Sequence, residues 1–399
     1  MCLSLICFGG WDVSLRVRFT VAKWLYCVGF TATAIAVWVL RDYGGEFLAR
    51  EVSSFKLCKQ SSDPTLVRSC AGKEVALRVS FANLIYFGAH LLGCLLLTRS
   101  EDPRVDLHAG LWVWQLVTWL GSLIGFMWLP NTALYGYAQF ARYASGVFLI
   151  LQLVLLVNFV YEINEWLVER DTRAAWAVLV GGTAVSFGGG LVGVVLTGIT
   201  YHYYAPTGSC SLNLFFITWN LVVGLLLVGV LFVPGRAPTA GLLTSGAVWL
   251  YCSYLTYSAL ASEPANRCVR GGGVSAGGWV GVVAFFIALA AVIYTTLDAG
   301  IRDMFGGGKS AAGSGGDDDS QELPYRPDFF HLVFATASCY LAMLFTNWAV
   351  SQSTTAFEID KGWASTWVKV ASGWVCALLY GWTVIAPAVL KDRDFGFPV

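Results

Sequence analysis

Apolar residues in this chain run in long blocks instead of recurring at the three- and four-residue spacing of a surface helix. Ten blocks, at about 21–40, 75–97, 110–129, 138–161, 174–201, 212–233, 242–261, 278–297, 328–349 and 363–390, are each near the 20 residues that a helix needs to cross a hydrocarbon core of about 30 Å. The pattern predicts an all-α polytopic membrane protein with about ten transmembrane helices, its 399 residues forming a single membrane domain. The first block follows Arg16 and Arg18 with no small-residue cleavage site after a short apolar core, so it reads as a retained helix and not a signal peptide.

Two polar segments interrupt the blocks, 41–74 and 298–327, and each is too short to build a core of its own. Within the second, Gly306 to Asp319 is almost entirely Gly, Ser, Ala and Asp, which predicts a flexible cytosolic linker over 298–327. Its run Asp317-Asp318-Asp319 lacks the turn glycine and distal glutamate of a calcium loop and reads as solvated chain.

The fourth block is different. It continues without Gly or Pro from Val147 into Asn158, Glu162, Asn164, Glu165, Glu169 and Arg170, so one helix should run past the membrane core and tilt or project. Asn158, Glu162 and Glu165 share a face at three- and four-residue spacing, a polar stripe entering the membrane from one interface. Such a stripe could guide a lipid headgroup, or it could be a solvated helix end. The fifth block carries Gly182, Ser186 and Gly190 at four-residue spacing, the signature of close helix packing. In the tenth, Trp363, Trp367, Trp374 and Trp382 fall along one side, where packing or lipid contact is expected.

Composition excludes a soluble enzyme: 57% of residues are apolar and 13% charged, with mean hydropathy +0.64, against about 25% charged in soluble domains. The 25 basic and 25 acidic residues cancel, leaving no global field to attract nucleic acid. Lys and Arg nonetheless segregate. With the N-terminus cytosolic, the inner loops collect Arg16, Arg18, Arg99, Arg104, Arg170, Arg173 and others, while the short outer loops hold only Arg267, Arg270 and Lys361, which places both termini in the cytosol. Cys58, Cys70, Cys210 and Cys268 then all fall in outer loops facing an oxidising compartment. Four cysteines allow three pairings, of which Cys58–Cys70 and Cys210–Cys268 are expected.

No phosphate-cradling loop, metal motif or catalytic constellation is present, so neither an enzyme nor a cofactor is expected. The four histidines, His90, His108, His202 and His331, lie in different segments, and His90 could equally bond to a neighbouring helix or relay a proton. Lys23, Arg78, Arg142 and Lys369 lie within about two turns of their helix ends and are expected to snorkel toward headgroups.

The C-terminal run Trp367-Val368-Lys369, Trp374-Val375, Leu379-Tyr380, Trp382-Thr383, Ala386-Pro387 and Arg393-Asp394-Phe395 closely resembles the signature of the serine incorporator (TMS/TDE) family, its plant-like members most. Asp102-Pro103-Arg104 with His108 and Gly110, Gln152 to Leu156, Phe329-Phe330-His331, Cys210 with Leu212-Asn213, and Ser262-Glu263-Pro264 with Cys268 extend the resemblance from about residue 15 to 395. The resemblance implies ten helices in two bundles separated by a long tilted fourth helix. It also implies an association with serine incorporation into phosphatidylserine and sphingolipids, and with energy-independent phospholipid movement between leaflets. The chain departs from the family where an Asp, a His and a Trp-Asn pair are usual, having Asn158, Tyr161 and Ile163-Asn164, so a fixed mid-helix negative charge is missing. Its N-terminal cysteines are reduced to Cys2 and Cys7.

The expectation is therefore a lipid scramblase of plasma membrane or Golgi/ER membranes, whose headgroup path is lined by Asn158, Glu162 and Asn164, with Arg142 and Lys369 attracting phosphate at the outer leaflet. A secondary transporter for L-serine would instead need broken helices, and Pro387 is the only proline inside a predicted span. A scaffold for lipid-synthesis enzymes is the third reading.

Overall fold

A computed structural model describes residues 14–44, 47, 64–204, 210–263, 323–346, 348 and 362–390. The predicted span at 278–297, the linker up to residue 322, and Cys58 and Cys268 lie outside the described residues. Ten α-helices are described: α1 (Leu15–Asp42), α2 (Pro64–Gly93), α3 (Val105–Ala109), α4 (Trp112–Gly125), α5 (Asn131–Arg170), α6 (Arg173–Tyr204), α7 (Ser211–Gly229), α8 (Leu242–Ala261), α9 (Pro327–Phe345) and α10 (Trp363–Val389). Seven of them, α1, α2, α5, α6, α7, α9 and α10, are long and apolar enough to cross a membrane. The block predicted as one span at 110–129 is a 14-residue helix followed by a single 3-10 turn, Phe126–Trp128. α5 has 40 residues, about 60 Å at 1.5 Å per residue, longer than the block that announced it.

The chain divides into two compact units. The first comprises Met1–Leu149 and Gly281–Asp360, the second Ile150–Val280 and Lys361–Val399, so α5 contributes its first half to one and its second half to the other.

In the first unit α9 is the central helix: 83% of its apolar window is buried, and it packs chiefly on α2. Phe30, Phe87, Phe330 and Phe334 interlock around it, with Phe30 and Phe334 edge to face at 5.3 Å. α4 approaches α1 at Gly29, where an added Cβ would stand 2.6 Å from the Trp119 ring, and the indole of Trp119 donates to Asn83 Oδ1 at 2.9 Å. Ahead of α9, Leu323 and Tyr325 are already buried, so the chain is packed before the predicted linker boundary. The Asp102-Pro103-Arg104 motif closes the turn into α3: the Arg104 guanidinium spans both Asp102 oxygens and donates to Leu95 O at 3.1 Å. That pairing holds the Asp102 carboxyl below its usual range.

Arg78 does not snorkel. Its side chain is fully buried between α2 and the start of α5, and Nη1 donates to Glu74 Oε2 at 2.7 Å while Nη2 donates to Asn131 Oδ1 at 2.7 Å. A neighbouring carboxylate and amide compete successfully with water because they desolvate together with the guanidinium.

In the second unit α8 is central, covered by α6, α7 and α10. The glycine stripe of α6 packs closely, as its spacing predicts, but against side chains and not bare backbone. Cβ atoms on Gly182, Gly189 and Gly190 would meet Leu243, Leu250 and Trp249 of α8 at 3.2, 3.0 and 2.8 Å. Buried hydroxyls are paired internally, as a hydrocarbon surround demands: Tyr380 lies 2.8 Å from both Thr244 Oγ1 and Ser245 Oγ, and Ser245 Oγ donates to Leu227 O.

Candidate functional site

The polar stripe on α5 falls within the second unit. Asn158 Nδ2 donates to Glu162 Oε1 at 2.7 Å, so these two residues form one half-buried hydrogen-bonded group, the consequence of four-residue spacing on a helix. Asn164 is elsewhere on the helix: it is buried, and its Nδ2 donates to Thr239 O at 2.9 Å, which ties α5 to the loop before α8. Its neighbour Tyr161 stacks on Tyr380 and lies 3.1 Å from Thr383 Oγ1. Arg142 is exposed on the half of α5 that belongs to the first unit.

Lys369 turns inward. Its ammonium donates to Ser262 Oγ at 2.5 Å and to Ser258 O at 3.3 Å, capping the carbonyl end of α8, where a cation is favoured. Beside it Asn213 Nδ2 donates to the buried Glu263 at 2.9 Å, and Asn220 Nδ2 donates to Ser253 Oγ at 2.9 Å. Lys369, Asn220, Thr256 and Cys252 line part of a small recess that shares Trp219, Val223 and Trp374 with a much larger groove.

That groove, of about 810 Å³, runs between α7 and α10 and is almost wholly apolar, bounded by Phe215, Leu226, Leu378, Trp382 and Ile385 among others. Two of the four stripe tryptophans, Trp374 and Trp382, form its wall, and Trp367 packs edge to face on Phe216 at 5.4 Å. Gly381 lies on the groove, and a Cβ there would meet nothing within 4 Å. The tryptophan spacing placed these rings on one side of α10. The groove itself depends on how α7 leans on α10, which no local pattern encodes.

The first unit holds a cluster that the sequence scattered over three segments. His90 at the end of α2, His108 in α3 and His331 in the second turn of α9 are all buried, with the His331 ring centroid 5.0 Å from each of the others. His108 Nδ1 and His331 Nε2 are 3.0 Å apart, His108 Nε2 lies 2.8 Å from the Tyr325 hydroxyl, and that hydroxyl donates to Phe19 O at 3.1 Å. Burial, reinforced by the neighbouring His90, pushes His108 down to about 3. Unfolded, the ring takes up a proton near its ordinary 6.5, so between those values the unfolded chain binds more protons and stability is lost as the pH falls. Acidification from pH 7 to 5 is expected to cost about 2 kcal/mol through this ring alone. Thermal melts of purified protein at the two pH values measure it, and a flat profile rules it out.

The cysteines sort in two groups. Cys27, Cys94, Cys252, Cys339 and Cys376 are free and buried, whereas Cys70 and Cys210 are not among the free thiols.

Membrane-length apolar helices, internally paired polar groups and an apolar groove along two helices define a polytopic α-helical membrane protein. The serine incorporator (Serinc) family model matches residues 2–313 and 302–393, essentially the whole chain, which therefore belongs to that family. A probable serine incorporator of Dictyostelium discoideum is 30% identical over 408 residues, covering 94% of this chain and 95% of its own length. Serine incorporator 3 of Bos taurus is 29% identical over 382 residues, covering 80% and 79%.

Proposed function

We propose that this serine incorporator family member binds phospholipids in the second unit and moves them between leaflets without an energy source. The observation that carries the reading is the groove of about 810 Å³ between α7 and α10, apolar along its length and adjoining a recess that holds Lys369. An acyl chain suits the tryptophan and leucine walls, and the ammonium of Lys369, beside Ser262 and Asn220, suits a phosphate. Such a path keeps tails in hydrocarbon and spares the headgroup the cost of crossing it unaccompanied. The Asn158–Glu162 pair is the polar stripe along which headgroups travel, and Asn164 fixes the loop before α8 that holds α5 in place. Arg142 is proposed as a further phosphate contact in the first unit.

Phosphatidylserine is the proposed substrate, with the serine link arising through supply to lipid-synthesis enzymes in plasma membrane or Golgi/ER membranes. Both termini are proposed to be cytosolic, and the pairings Cys58–Cys70 and Cys210–Cys268 fit the bonded state of Cys70 and Cys210.

The test is purified protein in liposomes carrying fluorescent phospholipids in both leaflets, with a quencher added outside and radiolabelled serine followed in the same sample. Quenching well beyond half of the signal without serine accumulation is expected. Gly381→Trp, which fills open space in the groove, should slow lipid exchange about tenfold, roughly 1.4 kcal/mol on the barrier, and Asn158→Leu with Glu162→Leu should slow it as well. Serine uptake with lipids held in their leaflets, or Gly381→Trp at the wild-type rate, would overturn the reading.

A further inference from the structure

Three contacts set α8 and α10 side by side in antiparallel register. Toward one end Tyr380 meets Thr244 Oγ1 and Ser245 Oγ, both at 2.8 Å. Two turns further along α8 and two turns back along α10, Cys252 Sγ donates to Gly373 O at 3.4 Å. At the other end Lys369 donates to Ser258 O and Ser262 Oγ. Gly373, Cys376, Tyr380 and Val384 recur at three- and four-residue spacing and are all buried, so they belong to the face of α10 that α8 covers. Gly373 has no side chain, and Leu255 of α8 stands 3.8 Å from the place its Cβ would take.

This register sets a second thiol against the first. A helical side chain leans back over the turn that precedes it, so Cys376 leans over Gly373, where Cys252 is seated, and the two thiols are in side-chain hydrogen-bond contact. Cys252 gives its only proton to Gly373 O, so Cys376 S–H donates to Cys252 Sγ. Both are free thiols. They differ in access: Cys252 lines the recess that adjoins the groove, whereas Cys376 has no solvent exposure. The recess, of about 10 Å³, has room for about one water-sized molecule, so an oxidant that reaches Cys252 must be small.

We propose that Cys252 and Cys376 are a redox pair that closes to a disulfide between α8 and α10 when hydrogen peroxide reaches Cys252. Cys252 Sγ attacks one peroxide oxygen, the O–O bond breaks, and a sulfenic acid and one water result. Cys376 Sγ then attacks that sulfur; the S–S bond forms and the sulfenic hydroxyl leaves with the Cys376 proton as a second water. Two thiols lose two electrons and two protons, and one peroxide is reduced to two waters. Rotation of the two side chains draws sulfurs already in contact toward the disulfide length of about 2.05 Å. The bond ties α10, one wall of the groove, to α8, and it forms whatever the groove carries.

The test uses the full chain in detergent, treated with hydrogen peroxide. Remaining thiols are capped in denaturant, and disulfides are then reduced and capped with a heavier reagent. Cys252 and Cys376 are expected to carry the heavy cap in equal proportion, with a peptide joining them in the unreduced digest, while Cys27, Cys94 and Cys339 of the first unit stay light. Cys376→Ala should leave a sulfenic acid on Cys252 that dimedone traps, and Cys252→Ala should leave Cys376 a thiol. Oxidation should raise the thermal midpoint of the wild type and of neither variant. Cys252 joined to any other cysteine, a sulfonic acid at Cys252 beside an intact Cys376 thiol, or both thiols intact at a peroxide dose that converts Met127 to its sulfoxide would each overturn the proposal. Where a variant does not fold, the joined peptide of the wild type decides by itself.

Discussion

Replacing Arg78 with Met is expected to destabilise the protein by about 3–5 kcal/mol, the usual cost of removing one partner from a buried ion pair. The side chain has no solvent exposure, and its guanidinium joins three groups: Glu74 one turn back on α2, the Leu129 carbonyl in the turn ahead of α5, and the Asn131 side chain at the start of α5. Asn131 closes the ring by donating to the other Glu74 oxygen at 3.0 Å. Without the guanidinium, the mostly buried Glu74 carboxylate keeps one amide donor and loses its counter-ion, while Leu129 O loses a donor. Changing Glu74 to Leu in the same chain should recover a large part of the loss, because an apolar pair needs no partner in this environment. Thermal unfolding in detergent, followed by the reactivity of the buried cysteines, measures both. A loss below about 1 kcal/mol would place the pair in the class of exposed ion pairs and refute its burial.

Trp249 is the second site of large effect, and Trp249→Ala is expected to cost about 3–5 kcal/mol. Its indole lies between two helices that have no side chain to offer there. A Cβ on Gly224 of α7 would fall 2.5 Å from the ring, and one on Gly190 of α6 2.8 Å, while Nε1 donates to Asn220 O at 3.0 Å. Gly224→Leu meets the same ring from the other side and should cost about 1–3 kcal/mol through overpacking. Trp249→Leu with Gly224→Ala returns volume to where it was removed, so the pair should be less damaging than the sum of its parts. Strict additivity would mean that the two positions do not touch. Because Ser262 caps α8 and α10 carries Lys369, loss of this packing should also reduce lipid exchange in liposomes.

Several features were legible because they are local. A run of apolar residues long enough to span is a helix by composition, and all nine predicted blocks within the described residues contain one. The pairing of Asn158 with Glu162 followed from four-residue spacing, and the side of α10 that carries Trp374 and Trp382 followed from helical periodicity. The break of 110–129 into α4 and a 3-10 turn was less visible, since Leu111 enters α4 with φ of 51°, a left-handed conformation that leucine does not advertise. Gln115, donating to the Leu107 and Gly110 carbonyls at 2.8 and 2.6 Å, holds that turn.

Other features had no local signal. Arg78 was expected at the headgroups because position along a helix says how near an end a residue is, but not which partners wait beside it. Lys369 likewise found Ser262, 107 positions earlier in the chain. His108 and His331, 223 residues apart, became neighbours only through the packing of α3 and α9 on α1 and α2.

By itself the sequence determined the membrane as solvent, the helices and the faces they carry, because hydrophobic transfer and helical periodicity act residue by residue. The tertiary structure decided which polar groups meet, which glycine receives which ring, and where α7 and α10 leave a groove. Those outcomes depend on contacts between segments that no window along the chain contains.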